Sequence, residues 1–139
     1  MIDFNYLTDF IIEDESLYND WIDKLVSKHN FILGDITYVF CDDAYLHEMN
    51  LKFLNHDTLT DIITFDYSED TAVSGDLFIS VQRLKDNAAD FNTDFKNELL
   101  RVMSHGVLHL MGYKDKTEKD VLLMRSLEEE AISLFHVKQ

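Results

Sequence analysis

Apolar residues recur along this chain with two periods, and the changes of period mark its elements. In "ESLYNDWIDKLVSKHN", Leu17, Trp21, Ile22 and Leu25 fall at helical spacing, which predicts a helix over residues 14–29. "FILGDITYVFCD" is β-branched and aromatic, and Ile36, Tyr38 and Phe40 alternate along it, which predicts a strand. Asp42 is placed to cap a helix through "DDAYLHEMNLKFL", where Leu46, Met49 and Phe53 repeat at helical spacing. "TDIITFDY" and "GDLFISV" read as strands, and the polar stretch between them allows an antiparallel pair. Ser80 caps a helix in "SVQRLKDNAADF". "DFKNELLRVMSHGVLHLMG" has the clearest helical period, with Leu99, Val102, Met103, Val107 and Leu110 on one face and Gly112 at the left-handed cap position. Thr117 and Asp120 form a capping pair for a final helix in "TEKDVLLMRSLEEEAISLF".

The opening "MIDFNYLTDFII" receives no element; acidic and polar groups interrupt its apolar residues, so it is not a signal peptide. The pattern therefore predicts mixed α and β in one layered domain, residues 1–139, with more helix than strand. A length of 139 residues fits one domain, and 46% hydrophobic content is enough for a core. Trp21, Phe31, Phe78 and Phe95 are expected in that core. No apolar run approaches a membrane span, so no membrane partner is expected. The single cysteine, Cys41, cannot pair internally and reads as a small buried residue, so a reducing cytoplasm is the default compartment.

Charge narrows the function classes. Twelve basic residues against 27 acidic ones give a net charge of −15, which argues against a general nucleic-acid binder. The "EEE" at residues 128–130 reads as a solvated face.

One segment carries chemistry. In "HGVLHLMGYKD", His105 and His109 stand four apart on a predicted helix, so both imidazoles project from one face and can bind one ion. Gly112 turns the chain, and Asp115 can fold back as a third ligand. Three protein ligands are the pattern of catalytic zinc sites. Two nitrogens and one oxygen suit zinc best, with nickel, manganese and iron as alternatives. The plain alternative is a helix that happens to hold two histidines; the apolar surroundings and Gly106, not explained by packing alone, count against it. The spacing also matches long zinc-protease motifs, which place a glutamate base after the first histidine; Gly106 stands there instead. His29, His47 and His136 lie apart and receive no role.

"SHGVLHLMGY" resembles the signature of the YbeY family of bacterial metal-dependent endoribonucleases, which act in ribosomal RNA maturation. "MNLKFLNHDTLTDIITFDY" resembles that family's second block, and "GDLFIS" the strand after it, in matching order. The resemblance implies an α+β fold, a small mixed β-sheet with about five helices packed on it. It implies one metal ion, zinc above all, on His105 and His109, with Asp115 at the position of the third ligand. It implies single-strand-specific RNA cleavage, in 3′-end processing of small-subunit ribosomal RNA and in ribosome quality control.

The chain departs from the family pattern at three positions. Asp115 stands where a histidine is usual, Leu54 where an arginine follows the aromatic residue of the second block, and Leu59 where a proline precedes Thr60. Lys52 and His56 are the nearby substitutes for the missing cation, and His56 is also a weak catalytic candidate. Lys114 and Lys116 flank Asp115 and are substrate-binding candidates, with ordinary solvated turn residues as the equal alternative. A carboxylate ligand leaves the site one charge less positive than three histidines would, and so makes the water it activates less acidic. Asp or Glu within residues 57–61 is the expected acceptor behind the ligating histidines.

Two routes remain open for an acidic chain to meet RNA. Lys52, Arg101, Lys114 and Lys116 gather round the cleft, or the ribosome or a ribosomal or assembly-factor protein presents the substrate. Two other functions stay in play: a non-enzymatic ribosome-assembly factor with a structural metal, and a metal-dependent hydrolase of a peptide or another phosphoester.

Overall fold

The structure is a computed structural model that describes residues 1–54 and 60–137. The elements in chain order are β1 (Ile2–Tyr6), α1 (Glu15–Lys28), β2 (Ile32–Cys41), α2 (Asp43–Leu54), β3 (Ile62–Asp66), β4 (Ala72–Ser80), α3 (Val81–Asp90), α4 (Phe95–Leu110) and α5 (Glu118–His136). The strands make one sheet in the order β1-β2-β4-β3. β1 and β4 run parallel to β2, and β3 pairs antiparallel with β4 as expected. The fold class is α+β, with five helices on a small mixed sheet among the described residues, in agreement with the expectation.

β1 is an element the sequence reading did not assign. Its residues alternate, Ile2-Asp3-Phe4-Asn5-Tyr6, and lie opposite Ile36, Tyr38 and Phe40 of β2. The Phe4 ring stacks on Tyr38 at 5.8 Å and Tyr6 on Phe40 at 5.7 Å. Five residues give a weak local signal; the partner strand some thirty residues later supplies the stabilisation.

The two sheet faces bury different helices. Ile36, Tyr38, Phe40, Leu77 and Ile79 join α1, α4 and α5 in the main core. Cys41 and Ile63, with Phe65 and Phe78, meet Leu46 and Met49 of α2 on the other face. Trp21 is fully in the core, whereas Phe31 and Phe95 pack at its margin. On α1 the buried stripe is Tyr18, Trp21, Ile22, Leu25 and Val26; Leu17 faces outward.

Caps fall where side-chain chemistry requires. Asp42 Oδ1 accepts from the Tyr45 amide, Ser80 from Arg83, and Thr117 and Asp120 form a reciprocal box at the start of α5. Gly112 closes α4 at φ +99°, a conformation that glycine adopts without strain. Among the described residues no helix is long and apolar enough to cross a membrane.

α4 lies directly on the sheet because two glycines permit it. A Cβ on Gly75 would stand 2.5 Å from the Phe65 carbonyl oxygen and 2.8 Å from Leu110. One on Gly106 would stand 2.8 Å from Ile62 Cδ1 and 3.1 Å from Leu77 Cδ2. Gly106 thus allows the close approach of another segment, the sheet at Ile62 and Leu77, rather than of substrate.

Candidate metal centre

His105 and His109 lie on the exit side of α4, at its solvent edge, and the turn at Gly112 brings Asp115 back over them. Asp115 Oδ2 stands 3.5 Å from His105 Nε2 and 3.4 Å from His109 Nε2. All three donor atoms lie within 4.8 Å of one another. The sequence thus named a group that the fold does bring together.

The far sides of both rings are held. His105 Nδ1 stands 2.6 Å from Glu128 Oε2, and His109 Nδ1 stands 2.8 Å from the Tyr113 carbonyl oxygen. A carbonyl only accepts, so His109 Nδ1 carries the proton there. The Glu128 carboxylate asks the same of His105. Neutral rings in that tautomer turn Nε2 lone pairs toward a carboxylate oxygen, acceptor facing acceptor. A cation among the three atoms satisfies that arrangement. Two donors each ~2.1 Å from one tetrahedral zinc stand about 3.4 Å apart, which matches both Asp115 distances. The donor set therefore fits a divalent metal ion.

Glu128 is the functional residue that the sequence reading missed. The "EEE" run is not a uniform solvated face: Glu128 is 2% exposed, and Glu129 and Glu130 face solvent. Helical phase turns one acid of three inward. The acceptors behind the histidines are Glu128 and the Tyr113 carbonyl; Asp61 is not one of them, and Asp57 lies outside the described residues. Asp61 instead stands 3.7 Å from Arg101, and burial raises its pKa although Arg101 opposes the shift. Arg101 is surrounded, with Glu98 at 2.5 Å and Glu128 at 3.4 Å, and these carboxylates raise its own pKa. The Glu98–Arg101–Glu128–His105 chain, with both acids buried, links α4 to α5 and leaves no acid in it without a partner. His29, assigned no role from sequence, meets the Tyr113 hydroxyl at 3.0 Å through Nδ1, and so abuts the residue that holds His109.

Exposure rises across the ligands, from 17% for the His105 side chain through 27% for His109 to 45% for Asp115. One side of the group therefore faces solvent. A cleft of about 170 Å³ opens beside it, lined by Arg101 and His105 of α4, Asp115, and Val121, Met124, Arg125 and Glu128 of α5.

The other cationic candidates are dispersed. Lys114 and Lys116 are exposed and lie outside that cleft wall. The Lys52 ammonium sits 5.5 Å over the Phe53 ring, in a separate hollow shared with Tyr45 and Glu48. His56, like Asp57 and Leu59, lies outside the described residues.

Known proteins share this arrangement of sequence. The profile of a family described as "Endoribonuclease YbeY" matches residues 7–136. A Flavobacterium johnsoniae protein named endoribonuclease YbeY is 52% identical over 139 residues, covering all of both chains. A Flavobacterium psychrophilum protein of the same name is 54% identical over 139 residues, covering 100% of this chain and 99% of that one. The solution structure of a Thermotoga maritima protein superposes with a TM-score of 0.66 at 23% identity, over 97% of this chain and 89% of the other, a likeness of fold.

Proposed function

Because the chain belongs to the YbeY endoribonuclease family, we propose that it cleaves phosphodiester bonds of single-stranded RNA with one zinc ion on His105, His109 and Asp115. The setting is 3′-end maturation of small-subunit ribosomal RNA and ribosome quality control, in the cytoplasm. The observation that carries this reading is the three-donor group, two imidazoles and a carboxylate converging within 4.8 Å at the mouth of a cleft.

When bound, a divalent ion there supplies a Lewis acid for a phosphoryl oxygen and lowers the pKa of water. The protein's part is orientation. Glu128 and the Tyr113 carbonyl fix both rings by their Nδ1 atoms, so each Nε2 lone pair is aimed before substrate arrives. Asp115 adds a negative charge and keeps its side chain half in solvent, where an incoming strand meets it. The partly buried Arg101 pairs with Glu128 and so helps to hold His105 indirectly.

The two other functions are less well supported. A purely structural zinc calls for a fourth protein donor, and the group comprises three among the described residues. A peptide hydrolase of the long zinc-protease type needs a glutamate after His105. A side chain at Gly106 would enter the core against Ile62 and Leu77 rather than reach the ion.

Metal analysis of purified protein with cleavage of labelled single-stranded and duplex RNA tests the proposal. The expected result is about one zinc per chain, cutting of the single strand only, and loss of both ion and cutting in His109→Ala. Full cutting by His109→Ala, or by protein stripped with a chelator, overturns it.

A further inference from the structure

The acidic chain holds three arginines, and their surroundings differ sharply. Arg83 is neutralised on α3, 3.2 Å from Asp43 and 2.7 Å from Asp86. Arg101 faces three carboxylates, Glu98, Glu128 and Asp61. Arg125 is exposed, lines the metal cleft beside His105 and Asp115, and pairs with no acid among the described residues. It is thus the arginine whose charge is available at the site.

Its position follows from helix geometry. Val121, Met124, Arg125 and Glu128 are spaced i, i+3, i+4 and i+7 on α5, so they share one face. Glu128 reaches the His105 ring from that face, one turn further on. The guanidinium therefore stands one turn from the group that fixes the ligand. Charge around the centre gives it a task. The acids Asp61, Glu98, Asp115 and Glu128 outweigh Arg101 by three. A divalent ion leaves one negative charge over, which would repel a phosphate. Arg125 brings that local balance to zero.

We infer that Arg125 grips a backbone phosphate of the RNA strand adjacent to the bond held at His105, His109 and Asp115. The inference rests on the RNA-cleaving function proposed above. The flat guanidinium offers paired donors to two phosphate oxygens, a geometry that a lysine ammonium lacks. Because the contact is to phosphate and not to a base, it favours no sequence.

The test uses the zinc-loaded full chain, a 2′-O-methyl single-stranded oligonucleotide for binding, and the corresponding RNA for cleavage. Arg125→Gln should weaken binding about tenfold and flatten the log–log salt slope by about 0.7 between about 50 and 200 mM salt. Arg125→Lys should keep the slope and recover only part of the affinity. In cleavage, Arg125→Gln should raise KM several-fold with less change in kcat and no change in zinc content. Lys24→Gln on α1, which removes the same unit of charge elsewhere, should leave affinity and slope as they were. If Arg125→Gln binds with the affinity and slope of the parent, or if Lys24→Gln weakens binding equally, the assignment of Arg125 is overturned. A parent protein that binds the strand through Arg125 but cuts no RNA refutes the endoribonuclease reading alone. A parent that binds no strand at about 50 mM salt refutes both.

Discussion

Glu128 on α5 reaches His105 on α4 at 2.6 Å, so an acid thirteen residues past Asp115 sets the tautomer and aim of that ring. This contact also leaves Glu128 answerable to Arg101 at 3.4 Å, so one carboxylate serves a ring and a guanidinium at once.

Removing that acceptor should be felt in metal affinity. Glu128→Gln is expected to weaken zinc binding by roughly 10- to 100-fold, the usual effect of losing the partner behind a ligating histidine. Competition against a chromophoric chelator measures it. An affinity within twofold of the parent would show that the contact does not orient the ring.

Replacing Asp115 by histidine alters charge while keeping a ligand. Asp115→His should retain about one zinc and make the centre one charge more positive, moving the acidic limb of the pH–rate profile to lower pH. The rate of RNA cleavage from about pH 5 to 9 reads this, since zinc sites with three neutral ligands activate water near pH 7. A limb that stays in place or moves upward contradicts the charge argument.

The two glycines under α4 should respond unequally to alanine. At Gly75 the new methyl meets a backbone oxygen at 2.5 Å, which cannot move without bending β3. Gly75→Ala is therefore expected to destabilise by about 1–3 kcal/mol. At Gly106 it meets the ends of the Ile62 and Leu77 side chains, which can rotate, and alanine gains about 1 kcal/mol of helix propensity. Gly106→Ala should thus cost much less. Urea denaturation of both variants gives the order, and equal losses would contradict it.

Cys41 should be inert while the protein is folded. It is fully buried, donates to the Ile79 carbonyl, and its thiol is pushed up to about 12 by burial and by Asp42 and Asp43. Thiolate is the reactive form, and a raised pKa removes it at pH 8. Labelling with a disulfide reagent at pH 8 should be negligible in the native state and rapid in denaturant. Fast native labelling would contradict the burial.

Local signals were legible in the sequence, and distant ones were not. The apolar face of α4, the caps at Ser80 and Thr117 and the turn at Gly112 all depend on neighbours within a few residues, and each stands as read. His105, His109 and Asp115 also lie within eleven residues, so their spacing alone predicted a shared ion. β1 is different, because Ile2, Phe4 and Tyr6 are stabilised by partners far along the chain. Glu128 looked like its neighbours Glu129 and Glu130 because only the docking of α5 on α4 decides which acid turns inward. Arg125 carries no motif; its significance rests on which acids the fold supplied to the other two arginines. Lys52, Lys114 and Lys116 sit close to the motifs in sequence, yet none lines the metal cleft.

The sheet order has a kinetic consequence. β1 waits for β2 across α1, and β2 for β4 across α2 and β3, so each parallel pairing must close a long stretch of chain before its own ladder bonds form. Closure entropy of that kind slows folding toward the millisecond-to-second range. During synthesis the apolar side of β1 stays without a cover until Ile36, Tyr38 and Phe40 have emerged. A chain arrested before that point would present an open strand edge to its neighbours, and would be the form most prone to aggregate.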